Sequence, residues 1–186
     1  MIAFKEWSLV CQALGEGRQS LILRKGGIAE GRAGFQWKHD SFALFPTHFH
    51  EQNQHLRGMQ SIEMPAVDLA NHKISLIATI EFKVVLTDWE KVEALAPFHE
   101  WTEETIRDRF DYTGERAMSV AMLRVSRLRE PFTFPDARQY GGCRSWVEIP
   151  APSENPAAEF VISDSEHQER ISTLREILGD SFVSQA

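Results

Sequence analysis

At 186 residues, with 42% hydrophobic and 25% charged side chains, the chain is long enough to bury a core and too mixed to be disordered or fibrous. Twenty Lys and Arg against 27 Asp and Glu leave a formal charge of −7, which argues against a sequence-independent duplex binder unless a local basic face exists. Cys11 and Cys143 stand far apart and outside any CxxC spacing, so a disulfide framework is not expected and a reduced, cytoplasmic setting is.

The opening MIAFKEWSLVCQALGEG has acid and base within six residues and no long apolar core, so no signal peptide is expected. No run of about 18 apolar residues follows. Glu6 to Ala13 and Gln19 to Leu23 are apolar runs joined by Gly15-Glu16-Gly17, and together they predict a β-hairpin. A glycine-rich connection comes next, too irregular for a phosphate loop. Ser41 to Phe45 predicts a third strand closed by Pro46, and His48 to Arg57 a short helix or loop.

Ile74 to Leu86, dense in β-branched residues, predicts the strongest strand. Asp88 and Thr102 read as N-caps of two short helices, the first ended near Pro97 and the second opening on Glu103 and Glu104. Strands are predicted over Met118 to Leu128 and Ser145 to Ile149. Pro150 to Pro156 reads as a linker, and Asp164 to Leu178 as an amphipathic helix stopped by Gly179, with Ile171, Leu174, Ile177 and Leu178 on its apolar stripe. That stripe must bury against the same domain or against a partner, a homodimer through this helix included.

The order does not alternate as βαβ units do. It predicts a single α+β domain with a curled, mostly antiparallel or mixed sheet, open to closure into a partly open barrel, two short central helices and a C-terminal helix. The family-like domain is expected over 1–150, with linker and helix over 151–186.

The segments KEWSLVCQALGEGRQSLILRKGGIAEG, FALFPTHFH, PFHEWTEETIRDRF and YGGCRSWVEI resemble, in order, a bacterial family, the domain of unknown function 1802, over about residues 4–149. Glu51 stands where the family pattern has Gln after FPTxxH. The resemblance implies kinship without an established activity. Some members are joined to restriction-endonuclease-like domains, which implies a nucleic-acid setting, or a nuclease partner, by association. Arg18, Arg24 and Lys25 in GRQSLILRK are also similar in spacing to the basic residues of RNA-binding ASCH and PUA-like barrels.

Four constellations could carry chemistry. His48 and His50 in THFH would share a face if extended, with Asp40 as a third ligand, but the four tight spacings of a structural metal site are lacking. Asp68 with Glu81 and Lys83 has the outline of a PD-(D/E)xK nuclease, two carboxylates for Mg²⁺ and a lysine for water, although Glu-x-Lys also marks the solvent face of many strands. Cys143, after two glycines, could act as the nucleophile of a Cys-His hydrolase with His50 or His99 as base and Glu104 orienting it, or be a structural thiol. Arg24, Lys25, His50, His99, Trp101, Cys143, Arg144 and Trp146 join the most distinctive motifs, and polar groups beside Gly and Trp suit a concave ligand site. The expectation is a non-catalytic binding or accessory module for an unidentified ligand, nucleic acid among the candidates, with no metal or other cofactor and no membrane partner.

Overall fold

The computed structural model describes residues 1–25, 35–48, 51–59, 68, 70–114, 116–152 and 156–182. The chain runs β1 (Ile2–Trp7), α1 (Ser8–Gly15), β2 (Leu21–Arg24), β3 (Ser41–Thr47), a 3₁₀ turn (Gln52–His55), β4 (Asn71–Leu86), α2 (Trp89–Ala94), α3 (Glu103–Asp111), β5 (Met118–Pro135), β6 (Trp146–Glu148), β7 (Ala158–Phe160) and α4 (Asp164–Leu178). The sheet order is β2-β5-β4-β3-β1-β6, with β7 also on β5. All described pairings are antiparallel except β1 with β3.

The expected hairpin over Glu6 to Leu23 is not formed. Ser8–Gly15 is a helix, and the strands on either side of it do not pair. Leu9, Val10, Ala13 and Leu14 recur at helical spacing and are buried while Gln12 is exposed. No local side chain caps α1. The Gln52 carboxamide does so from a distance, accepting from Leu9 N and Ser8 Oγ at 3.2 Å each, while its Nε2 donates to Thr47 O at 2.7 Å. Gly17, at φ +73°, ends the turn where a Cβ would stand 2.7 Å from Ile162 Cγ2, so glycine is required by both backbone and space.

β4 and β5 are the long spine, paired from Asn71↔Pro135 to Leu86↔Met118. β2 and β7 share the other edge of β5 in succession, at Ser119–Met122 and Ser126–Leu128. Shifts of register between Ile74 and Leu76 and between Ile80 and Phe82 bend and twist the spine. The sheet curls so far that Arg24 on β2 donates to the Lys5 carbonyl on β1, although three strands lie between them in the sheet.

The main core fills the curl, and α4 supplies Ile171, Leu174 and Leu178 to it. Ser163 caps α4 by accepting from Glu166 N at 3.2 Å, and Lys91 of α2 donates to Leu178 O at 2.9 Å at its other end. A second cluster, including Phe45, Ile74, Phe134, Tyr140 and Val147, lies on the outer face. Among the described residues no helix is long and apolar enough to cross a membrane.

Candidate functional site

The first register shift decides where the concave site lies. From Ile74 to Leu76 β4 advances two residues while β5 runs from Phe132 to Arg127, five positions, so the strand turns over. Leu76, Ala78 and Ile80 face the inner core, whereas Ile74 belongs to the outer cluster. His72 goes with it, its ring 4.5 Å from Phe45 and 5.4 Å from Tyr140.

An open cleft of about 720 Å³ results, where β3 ends, β4 begins, and β5 leads into a 3₁₀ turn at Arg138–Tyr140. Phe45, His72 and Tyr140 form its aromatic floor, backed by Phe134, 5.3 Å from Tyr140. His72 Nε2 lies 2.7 Å from Asp136 Oδ1, which fixes the ring. Asp68 folds its carboxylate onto the start of β4, accepting from Asn71 Nδ2 at 3.0 Å and Ala70 N at 2.8 Å, and these bonds hold it below the usual carboxylate range. Lys5 Nζ donates to Tyr140 O at 2.7 Å and Gly142 O at 2.8 Å. Burial pushes its ammonium below the ordinary lysine value, Cys143 opposing and Arg144 adding to the shift. Burial, and secondly His72, lowers the His48 imidazole.

Lys5, Lys73 and Arg138 on this lining face Asp68 and Asp136, a local positive surplus in a chain of net charge −7. Lys5 and both carboxylates are already hydrogen-bonded. Lys73, Arg138 and His48 have side chains with no hydrogen-bond or ion-pair partner among the described residues. The cleft therefore offers a ring surface and unspent cations, a combination suited to a ligand carrying both a planar ring and negative charge.

The residues singled out from sequence do not meet in one place. Arg24 lies over the Phe4 ring at 4.7 Å, and Lys25 Nζ donates to Phe110 O and Ala117 O at 3.1 Å each. His99 is 4% exposed and its Nδ1 accepts from Trp101 N at 3.2 Å. Burial, with Arg57 and Arg109 acting in the same direction, lowers its pKa to about 3. Trp101 is buried beneath Arg109, 3.8 Å above its ring. Those four gather around β2 and α3. Trp146 packs on Phe4 at 4.8 Å and Phe42 at 5.1 Å in the inner core. Cys143 and Arg144 are exposed on the loop before β6. His50 lies outside the described residues.

The nuclease triad is dispersed. Ten residue steps along β4 separate Asn71, which Asp68 holds, from Glu81, about 33 Å of extended chain. Glu81 faces His167 at 3.7 Å, and Lys83 pairs with Asp40 at 3.0 Å. Among the described residues no three His, Cys, Asp or Glu are grouped to hold a metal. Cys143 has no hydrogen bond to a histidine among the described residues, and its side chain is exposed. His99 is committed to Trp101.

Sequence reasoning passed over His72, Lys73, Arg138 and Asp136. A signal was nevertheless present: FALFPTHFH supplies Phe45 to His48 and YGGCRSWVEI supplies Tyr140 and Gly141, two family segments that converge on the cleft.

A family model described as "Domain of unknown function (DUF1802)" matches residues 3–173, extending past Ile149 into α4. Among curated proteins none matches the chain. Crystal structures of ASCH from Zymomonas mobilis and of a mutant protein of it are similar at 12% and 13% identity and a TM-score of 0.44 each, covering 92% of this chain and 93% and 94% of theirs. Neither figure is high enough for residues or activities to pass from one chain to the other.

Proposed function

The chain belongs to the family described as domain of unknown function DUF1802, and from that premise we propose that it is a non-catalytic binding module whose outer cleft takes a single-stranded segment of nucleic acid. One observation carries this reading: Lys73 and Arg138, both unpaired among the described residues, line the same cleft as the rings of Phe45, His72 and Tyr140. Ring stacking is tolerant of sequence and contributes about 1–3 kcal/mol per base, while lysine and arginine neutralise phosphates. A base laid on His72 is supported from behind by Phe45, because the Asp136 carboxylate holds the imidazole in place.

Fluorescence anisotropy with labelled ten-nucleotide RNA and DNA strands, and with the matching duplexes, tests the reading between 50 and 200 mM salt. Single strands should bind more tightly than duplexes, with affinity falling as salt rises. Lys73→Glu or Arg138→Glu should each weaken binding, and neutralising one contact should flatten the log–log salt slope by about 0.7. His72→Ala should weaken binding with the slope unchanged. Absence of binding at 50 mM salt, or wild-type affinity in the Lys73→Glu/Arg138→Glu double variant, overturns it.

A further inference from the structure

At the mouth of the curl, away from the cleft floor, two guanidinium groups face one carboxylate. Glu6 is 2% exposed; its Oε1 accepts from Trp7 N at 2.8 Å and its Oε2 lies 3.3 Å from Arg24. Arg24 spends Nη2 on Glu6 and the Lys5 carbonyl, and its buried Nε has no hydrogen-bond partner among the described residues. The side chain of Arg109, on α3, has no hydrogen bond or ion pair among the described residues. Its guanidinium instead lies 3.8 Å over the Trp101 ring and 5.2 Å from that of Trp7.

The pair is held together from behind. Lys25, next to Arg24, donates to Phe110 O, next to Arg109, and to Ala117 O, which ties the end of β2 to the end of α3. The two arginines are close enough to act on each other: burial lowers the Arg109 pKa to about 10, Glu6 opposing and Arg24 adding to the effect. Two half-buried cations against one carboxylate leave a positive charge that the fold does not neutralise, and such a charge is costly unless a counter-charge arrives. With its charge over the Trp101 ring and no ion pair, Arg109 keeps its N–H donors uncommitted, and a guanidinium can donate two parallel N–H bonds to two oxygens of one oxyanion.

We infer that Arg24 and Arg109 form an anion site that takes a phosphate group, with Arg109 supplying the two-pronged donor and Arg24 the second charge. Glu6 orients Arg24 but repels the incoming anion, so the site is tuned to moderate affinity. This site is distinct from the cleft and does not depend on the cleft binding nucleic acid.

The test uses the full chain and inorganic phosphate, with chloride holding ionic strength constant, and reads thermal unfolding and titration calorimetry. Phosphate should raise the midpoint saturably where chloride does not. Arg109→Lys keeps a cation over Trp101 but loses the fork, so it should fold and bind phosphate more weakly. Glu6→Gln keeps an acceptor for Trp7 N and Arg24 while removing the repulsion, and should tighten binding by about threefold or more. The Lys73→Glu/Arg138→Glu variant should bind phosphate as the wild type does. Equal effects of phosphate and chloride, unchanged affinity in Arg109→Lys, weaker binding in Glu6→Gln, or loss of binding in the cleft variant would each overturn the assignment.

Discussion

His99 should make the fold sensitive to acid, by an amount that follows from its setting. Its imidazole is 4% exposed, accepts from Trp101 N at 3.2 Å and faces Arg57 and Arg109, so protonation is opposed by burial first and then by both guanidinia. The folded pKa is about 3 against an ordinary 6.5. A lowered histidine pKa means that the neutral form is the native one. Its stability is fully present above pH 6.5 and is lost progressively as pH falls toward 3. Between pH 7.5 and 5 the unfolded chain takes up this proton and the folded chain does not, which costs about 2 kcal/mol. For a chain of this size that corresponds to a drop of about 4–8 °C in Tm. His99→Asn retains an acceptor for Trp101 N and cannot take up the proton. Thermal melts followed by circular dichroism at pH 7.5, 6 and 5 should show the wild type losing about that much more than the variant across the range. Parallel pH dependence in the two proteins would refute the reasoning.

Three further outcomes follow from the packing. Gln52→Ala removes the distant cap of α1 and leaves the Leu9 N–H and the Thr47 carbonyl without their partner, so urea unfolding should register a loss of about 1–3 kcal/mol. Leu174→Ala opens a cavity where α4 enters the main core and should cost about 2–5 kcal/mol by the same measurement; a chain ending before Asp164 should lose cooperative melting, since Ile171, Leu174 and Leu178 leave the core together.

Local signals carried the elements whose determinants are local. Asp88 and Thr102 each accept from a backbone N–H at the start of their helices, so the caps of α2 and α3 could be read from two or three residues, while α4 was placed by its apolar stripe and Gly179, its Ser163 cap having been passed over. α1 was illegible for the opposite reason: its cap is Gln52, 43 positions from Leu9, and without it Glu6 to Ala13 reads as an apolar strand. β4 was placed by its β-branched run, but its first three residues, Asn71 to Lys73, are polar and lie beyond that run. The cleft followed them out of sight, because His72 faces it only through a change of register set by the opposing strand. Of the eight residues grouped from motifs, Arg24, Lys25, His99 and Trp101 do assemble around β2 and α3, while Trp146 is drawn into the inner core by Phe4 and Phe42.

The position of β1 inside the sheet has a kinetic consequence. One of its edges is met by β3, but the other waits for β6, where Phe4 pairs with Trp146. At a synthesis rate of about 5–20 residues per second, the ribosome needs about 7–30 s to make the intervening chain. Throughout that interval the amino-terminal strand has an open edge and the Phe4 ring lacks the Trp146 indole, one of the two that pack on it in the finished fold. Closing so long a loop is entropically slow, so the amino-terminal segment is the part of the nascent chain that most needs a chaperone or a transient local structure, and α1, directly behind it, is the nearest element able to provide one.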